Sequence, residues 1–211
     1  MSFDRFAERI STVEELAAIV GHPSDLALRK ELKALDGHMR QFIALSPFLV
    51  VGTYSTNGRC DASPRGDAPG FVQVIDDRTL LIPDRLGNKR VDSFRNIVET
   101  GRIGLLFLIP GVGETLRVNG RATVIRDERW LTPMTVQGKR PMLAVAVEVE
   151  ECYLQCAKAL IRSKLWEPHE APNERDLPSA AEMFLAHAKM PEMNVSEMQK
   201  RLDEAYEKRL Y

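Results

Sequence analysis

Cysteine is scarce in this chain, with Cys60, Cys152 and Cys156 the only three in 211 residues. An odd count rules out a fully paired disulfide scaffold. The C-x3-C spacing of the last two matches neither the C-x-x-C redox motif nor a common zinc pattern, so all three read as reduced thiols. The four histidines, His22, His38, His169 and His187, are scattered, with no His-Glu-x-x-His and no carboxylate cluster beside them, which argues against a metal centre. An excess of one charge is missing too. Lys and Arg total 29 against 30 Asp and Glu, a formal charge of −1 that removes the electrostatic case for a dedicated nucleic-acid binder. No run approaches the about 20 apolar residues of a membrane-spanning helix, and residues 1–5 lack the basic-then-apolar order of a signal peptide. The expectation is a cytoplasmic protein with no membrane or nucleic-acid partner. Internal repeats and low-complexity segments are absent as well.

What is present is enough apolar material, 44% of the residues, for one buried core. Helical signals come first. Thr12 and Glu15 form a capping-box pair ahead of Leu16, Ile19 and Val20, and after Gly21-His22-Pro23 either Ser24 or Asp25 caps a second helix whose stripe is Leu26, Leu28, Leu32 and Leu35. Residues 36–45 add a further turn or two. From Pro47 the pattern turns to strand. Residues 48–54 are β-branched and aromatic, Asn57-Gly58 is a hairpin turn, and residues 59–64 run back. A second hairpin joins 71–75 to 79–83 across Asp76-Asp77. A helix follows over 89–100 with Val91, Phe94, Ile97 and Val98 on one face, then strands over 103–109, over 115–125 interrupted by Asn119-Gly120, and over 142–150. About six strands with a single helix between the fourth and fifth predict a small antiparallel barrel, mainly β within the α+β class, rather than βαβ units. Asn119-Gly120 reads as a hairpin or bulge former, and Cys156 as a packing residue. Past Cys152 the chain turns helical at 157–162, runs through a three-proline arm at 166–178, and ends in two helices capped by Ser179 with Glu182 and by Ser196 with Gln199.

The chemistry concentrates in residues 60–95. Ser63-Pro64-Arg65-Gly66 closes one strand, and Gly87-Asn88-Lys89-Arg90 opens a helix, with the second hairpin between them. A folded-back ribbon brings its flanks together, so Arg65 and the Lys89-Arg90 pair are placed to meet on one anion. Each cation alone reads equally well as a solvated surface residue. Together they do not, because cations at a helix N-terminus oppose its dipole unless an anion lies between. A guanidinium and outward-pointing helix N–H groups suit phosphate oxygens.

These segments resemble the pyridoxamine 5′-phosphate oxidase-like FMN-binding split-barrel family. The resemblance is carried by residues 63–66, by 84–93 with Asn96, by Arg117-Val118-Asn119-Gly120, and by Cys156-Ala-Lys-Ala159 followed by Arg162-Ser-Lys-Leu-Trp166. It implies a six-stranded antiparallel split barrel over 46–167, flanked by helical extensions at 1–45 and 168–211. It also implies a homodimer holding FMN in a cleft between subunits. On the family pattern, Arg65 grips the phosphate with Lys89 and Arg90, while Ser63, Gly66 and Asn88 belong to the same segments. Ser93 offers a hydroxyl, Ile82 and Pro83 pass along the flavin with backbone groups, and Arg117 faces the polar edge of the ring. Arg162, Ser163 and Trp166 are placed like a contribution from the partner subunit. The chain departs from the true oxidase where that enzyme has an Arg-Leu-His-Asp-Arg-like segment for its pyridoxal substrate, since 159–165 here read Ala-Leu-Ile-Arg-Ser-Lys-Leu.

The expected function is therefore an FMN-dependent oxidoreductase acting on a small molecule or a nicotinamide, with no protein nucleophile and Arg117 as a modulator of the ring. Two alternatives stay open: a flavin-binding carrier or sensor without turnover, and a split barrel that takes F420 or haem instead.

Overall fold

Alternation of apolar and polar residues along five strands builds the core of this protein, whose computed structural model describes residues 3–170, 172 and 176–211. In β1 (Phe48–Tyr54), Leu49 and Val51 point inward, and Ile103, Leu105 and Phe107 do the same in β5 (Arg102–Leu108). Leu116 and Val118 of β6 (Thr115–Ile125), Val145, Val147 and Val149 of β7 (Ala144–Gln155), and Leu80 and Ile82 of β4 (Thr79–Pro83) complete the same cluster. A strand's side chains alternate faces, so one continuous cluster fed by five neighbouring strands requires the sheet to roll around it. The sheet is antiparallel throughout, in the order β2-β1-β5-β6-β7-β4-β3, with β2 at Cys60–Gly66 and β3 at Gln73–Val74. This is the α+β split barrel expected. The two-residue β3 brings the strand count to seven.

The α-helices α1 (Val13–Val20), α2 (Asp25–Arg29) and α3 (Gly37–Leu45) precede the barrel. Thr12 with Glu15 forms the capping box of α1, Ser24 caps α2, and Asp36 caps α3. The expected stripe on α2 fails. Leu26 and Leu28 are 77% and 56% exposed, and only Leu35 is buried. The reason is a competing pairing: Leu32 exchanges both backbone hydrogen bonds with Cys152 of β7, at 2.9 and 2.8 Å, which draws the chain out of helix before the stripe can complete.

α4 (Asp92–Thr100) packs inside the roll with Ser93, Phe94, Asn96 and Ile97 buried. It starts three residues later than the periodicity suggests, and Val91 and Val98 are exposed rather than on its inner face. Polar Asn96 takes their place, donating to the Thr53 hydroxyl at 3.0 Å. Outside the roll, α5 (Glu128–Leu131) and a 3-10 turn at Thr132–Met134 cover β4, β6 and β7 through Leu131 and Met134 against Leu81 and Ala144. No periodicity marked this small second cluster. α6 (Lys158–Ser163) leads to the proline arm, of which residues 171 and 173–175 lie outside the described part. α7 (Ala180–Ala188) carries the expected Ser179 capping box, while α8 (Val195–Lys208) is capped by Asn194 with Glu197, two residues ahead of the expected Ser196. Cys152 is buried, whereas Cys60 and Cys156 are exposed, so Cys156 is no packing residue. Among the described residues no helix is long and apolar enough to cross a membrane.

Asn119-Gly120 proves to be a β-bulge, where the β6–β7 register shifts by one residue. The glycine is required by space: a Cβ at Gly120 would sit 2.0 Å from the carbonyl oxygen of Glu148. Gly120→Ala must therefore open the longest strand pair of the barrel. A loss of about 2–4 kcal/mol in stability is expected by urea titration; a variant within ~0.5 kcal/mol of wild type would show that the bulge yields freely.

Candidate functional site

One cleft of about 480 Å³ opens where the end of β2, the segment between β4 and α4, and the loop entering β7 meet. The short β3–β4 hairpin sets this up by returning the chain beside its own start, so that Arg85 donates from Nε to Asp67 at 2.6 Å. Of the sequence candidates, Ser63, Arg65, Asn88, Lys89, Arg90 and Ser93 all line the cleft. Gly66, Ile82 and Pro83 lie beside it on the strands without lining it, and the Ile82 side chain is buried in the core.

The cations are not equally available. Arg90 is exposed and donates to Asp92 at 2.7 Å, so the dipole conflict at the start of α4 is met by the chain's own carboxylate. Arg65 reaches Asp84 only at 4.0 Å, the outer limit of an ion pair, and lies 5.5 Å over the Phe94 ring. Lys89 has no partner among the described residues. The first turn of α4 adds donors, for Val91 at its N-cap supplies no side-chain hydrogen bond and residues 91–94 line the cleft. Lys89 and Val91 both have positive φ, 62° and 52°, a conformation that costs a β-branched residue about 1–3 kcal/mol.

Ser93 takes a different role from the one its spacing suggested. It is 3% exposed, and its hydroxyl donates to Asp61 Oδ2 at 2.6 Å. A hydroxyl has one proton, so this one is committed to the carboxylate. Burial pushes the Asp84 carboxyl above its ordinary value, outweighing the opposing pull of Arg65 and Arg85.

Sequence reasoning missed the rest of the lining. Asp84 and Arg85 fall within 84–93, where nothing in their spacing sets them apart from the charges around them. Lys139 and Arg140, and Tyr211 at the far end of the chain, fall in stretches with no motif; nothing local signals that they fold together. Asp67, Arg85 and Tyr211 form a closed cluster at the rim. The Asp67 side chain is 1% exposed and accepts from Arg85, from the Tyr211 hydroxyl at 2.7 Å and from the Ala68 N–H at 2.7 Å.

The remaining candidates lie elsewhere on this chain. Arg117 projects from the outer face of β6 and donates to the Tyr153 hydroxyl at 2.9 Å. Arg162 and Ser163 are exposed on α6, and Trp166 donates from Nε1 to the Val112 carbonyl at 2.8 Å. None of the four lines the cleft of its own subunit.

Three comparisons set this geometry among known proteins. The family model described as pyridoxamine 5′-phosphate oxidase matches residues 35–156, more than half of the chain. No curated protein matches. Among solved structures, HupZ from Group A Streptococcus is 16% identical with a TM-score of 0.46, covering 58% of this chain and 94% of its own. An FMN-binding protein from Syntrophomonas wolfei is 14% identical with a TM-score of 0.43, covering 55% and 82%. An F420 reductase is 14% identical with a TM-score of 0.40, covering 56% and 97%.

The Asp67 cluster carries a pH signature. Burial alone would raise this carboxyl, but the hydrogen bonds from Tyr211, Ala68 and Arg85, with the Arg85 charge, hold it below its ordinary value of 3.8. A depressed folded-state pKa means the unfolded chain takes up the proton first as pH falls, so the stabilisation is present above about pH 4 and is lost below it. Asp67→Asn should thus lower the denaturant midpoint at pH 7, with the gap to wild type narrowing as pH falls below 3.8. A gap that stays constant across that range would contradict the assignment.

Proposed function

The chain belongs to the pyridoxamine 5′-phosphate oxidase family, and on that premise we propose that its cleft holds FMN by the phosphate and that the protein is an FMN-dependent oxidoreductase. The observation that carries the reading is the meeting of Arg65, Lys89 and the uncapped start of α4 in one cleft. Each is a donor short of an acceptor, and a phosphate supplies three acceptor oxygens and the missing negative charge. The donor set fits the group on electrostatic grounds too. Arg65 and Lys89 carry charge that Asp84, at 4.0 Å from Arg65, offsets only weakly.

In this reading Arg65 and Lys89 bind the phosphate, the N–H groups of the first turn of α4 orient it, and Arg90 with Asp92 shapes the mouth. Ser93, through Asp61, stiffens the junction of β2 with α4 rather than meeting the ligand. Bound FMN would supply hydride chemistry, and the protein would supply position, charge and a shielded face. The small-molecule substrate or nicotinamide that exchanges electrons with it is left open by the lining residues. Arg117, Arg162, Ser163 and Trp166 enter this account through a homodimer, in which the outer face of β6 and α6 of one subunit would complete the cleft of the other. On α6 and just beyond it, Ile161 and Leu165 are exposed apolar side chains that such a contact would cover. A cytoplasmic setting belongs to the same proposal, in which the free cysteines Cys60, Cys152 and Cys156 stay reduced.

Three outcomes are expected. Arg65→Ala with Lys89→Ala abolishes retention of FMN, while riboflavin, lacking the phosphate, binds weakly to wild type and variant alike; equal FMN affinity of the two proteins would refute the cradle. Asp84→Asn removes the carboxylate that competes for Arg65 and should tighten FMN about two- to fivefold by fluorescence titration, at the scale of one partly exposed charge pair, leaving riboflavin unchanged. Sedimentation should find dimers; single chains of 23.8 kDa at micromolar concentration would exclude the shared cleft.

A further inference from the structure

The family model ends at residue 156, yet the cleft has a wall from far beyond it. Tyr211 lines the cleft, although the helices before it, α7 and α8, have no part in the barrel sheet. Its contacts reach two separate sides. The hydroxyl donates to Asp67 at 2.7 Å, where β2 ends, and the Arg85 guanidinium lies 5.8 Å over its ring. On the other side Lys139 donates from Nζ to the Tyr211 backbone oxygen at 2.6 Å. Arg85 in turn donates to the Met134 carbonyl at 2.9 Å. The rim at 67–85 and the loop at 134–143 are thus joined twice, directly by Arg85 and through Tyr211, which touches Asp67, Arg85 and Lys139.

We infer that Tyr211 is a positioning residue of the cleft, a clasp from the C-terminal extension that holds Arg85 and the 139–143 loop in place around a bound ligand. The geometry favours this over simple surface packing. Asp67 is 1% exposed and already takes up Arg85 and the Ala68 N–H, so its remaining lone pairs are satisfied by a distant residue. Removing that hydroxyl leaves a buried carboxylate one donor short, which loosens the residue sharing it, Arg85. The clasp touches neither Arg65 nor Lys89. It therefore sets how long a ligand stays rather than which tail the ligand carries.

The experiment rests in one arm on FMN as the ligand and in the other on no ligand at all. FMN release from the full chain is followed by recovery of flavin fluorescence for wild type, Tyr211→Phe and Tyr211→Ala, with riboflavin as the control lacking phosphate. Tyr211→Phe, which loses only the hydroxyl, should speed release of FMN and of riboflavin by the same factor, about tenfold for a hydrogen bond to a charged group, and Tyr211→Ala, which also loses the ring beneath Arg85, by more. In the ligand-free chain, hydrogen exchange at both the rim, 67–70 with 84–86, and the 134–143 loop should quicken in Tyr211→Ala while the strands of the barrel, β3 and β4 included, keep their protection. Asp67→Asn combined with Tyr211→Phe should be no worse than the worse single variant. Release within twofold of wild type, or an effect on FMN alone, would overturn the inference. Should the chain bind no flavin, the cofactor reading fails and exchange decides alone: unchanged protection in either segment would overturn the clasp, and faster exchange in both would uphold it.

Discussion

Like charges crowded at one opening repel, and the cleft depends on how that repulsion is contained. Arg65, Arg85, Lys89 and Arg90 converge within a volume of about 480 Å³. Two of them are tied down by the chain: Arg85 by buried Asp67, and Arg90 by the adjacent Asp92. The other two are left nearly unneutralised. A fold gains nothing from unpaired cations beside a helix N-terminus, and pairs such as Arg85 with Asp67 show that this chain places carboxylates where it needs them. The imbalance is thus a local feature of the cleft in a molecule whose net charge is close to zero.

The barrel makes this arrangement possible by rigidity. β2 is an edge strand hydrogen-bonded to β1 along its full length, β4 is held by β7, and α4 is locked beneath both by Phe94 and Ile97 in the core and by the Asn96 to Thr53 bond. The Ser93 to Asp61 bond ties the start of α4 to β2. The segment between β4 and α4 departs from regular structure and holds two non-glycine residues at positive φ, Lys89 and Val91. Conformational cost is thereby concentrated in the stretch that carries Lys89, where a ligand can offset it.

Much of this was legible in the chain. The strand over Phe48–Tyr54, the Asn57-Gly58 turn, the strand over Thr115–Ile125 with its bulge, and the capping boxes at Thr12 and Ser179 depend on neighbours within a few residues, and such signals are readable from sequence. The convergence of Arg65 with Lys89 followed from the hairpin between them. Three of the failures share a cause. The α2 stripe was undone by a pairing between Leu32 and Cys152, the proton of Ser93 was claimed by Asp61, and Tyr211 reached Asp67 across 144 positions. In each case a partner remote in sequence decided the outcome, and no periodicity encodes it.

The extensions divide in the same way. The C-terminal one returns to the cleft, whereas the N-terminal helices α1 and α2 bury none of their residues within the chain. Their caps are sound, but helices this short draw stability mainly from packing. The central claim, a flavin nucleotide held by its phosphate, is tested most directly by what the protein carries. Purified protein is denatured and the released chromophore identified by absorbance and mass. The account predicts FMN, close to one per chain, and uptake of added FMN by any empty fraction. A protein that releases F420 or haem, or that stays colourless in excess FMN, would contradict it.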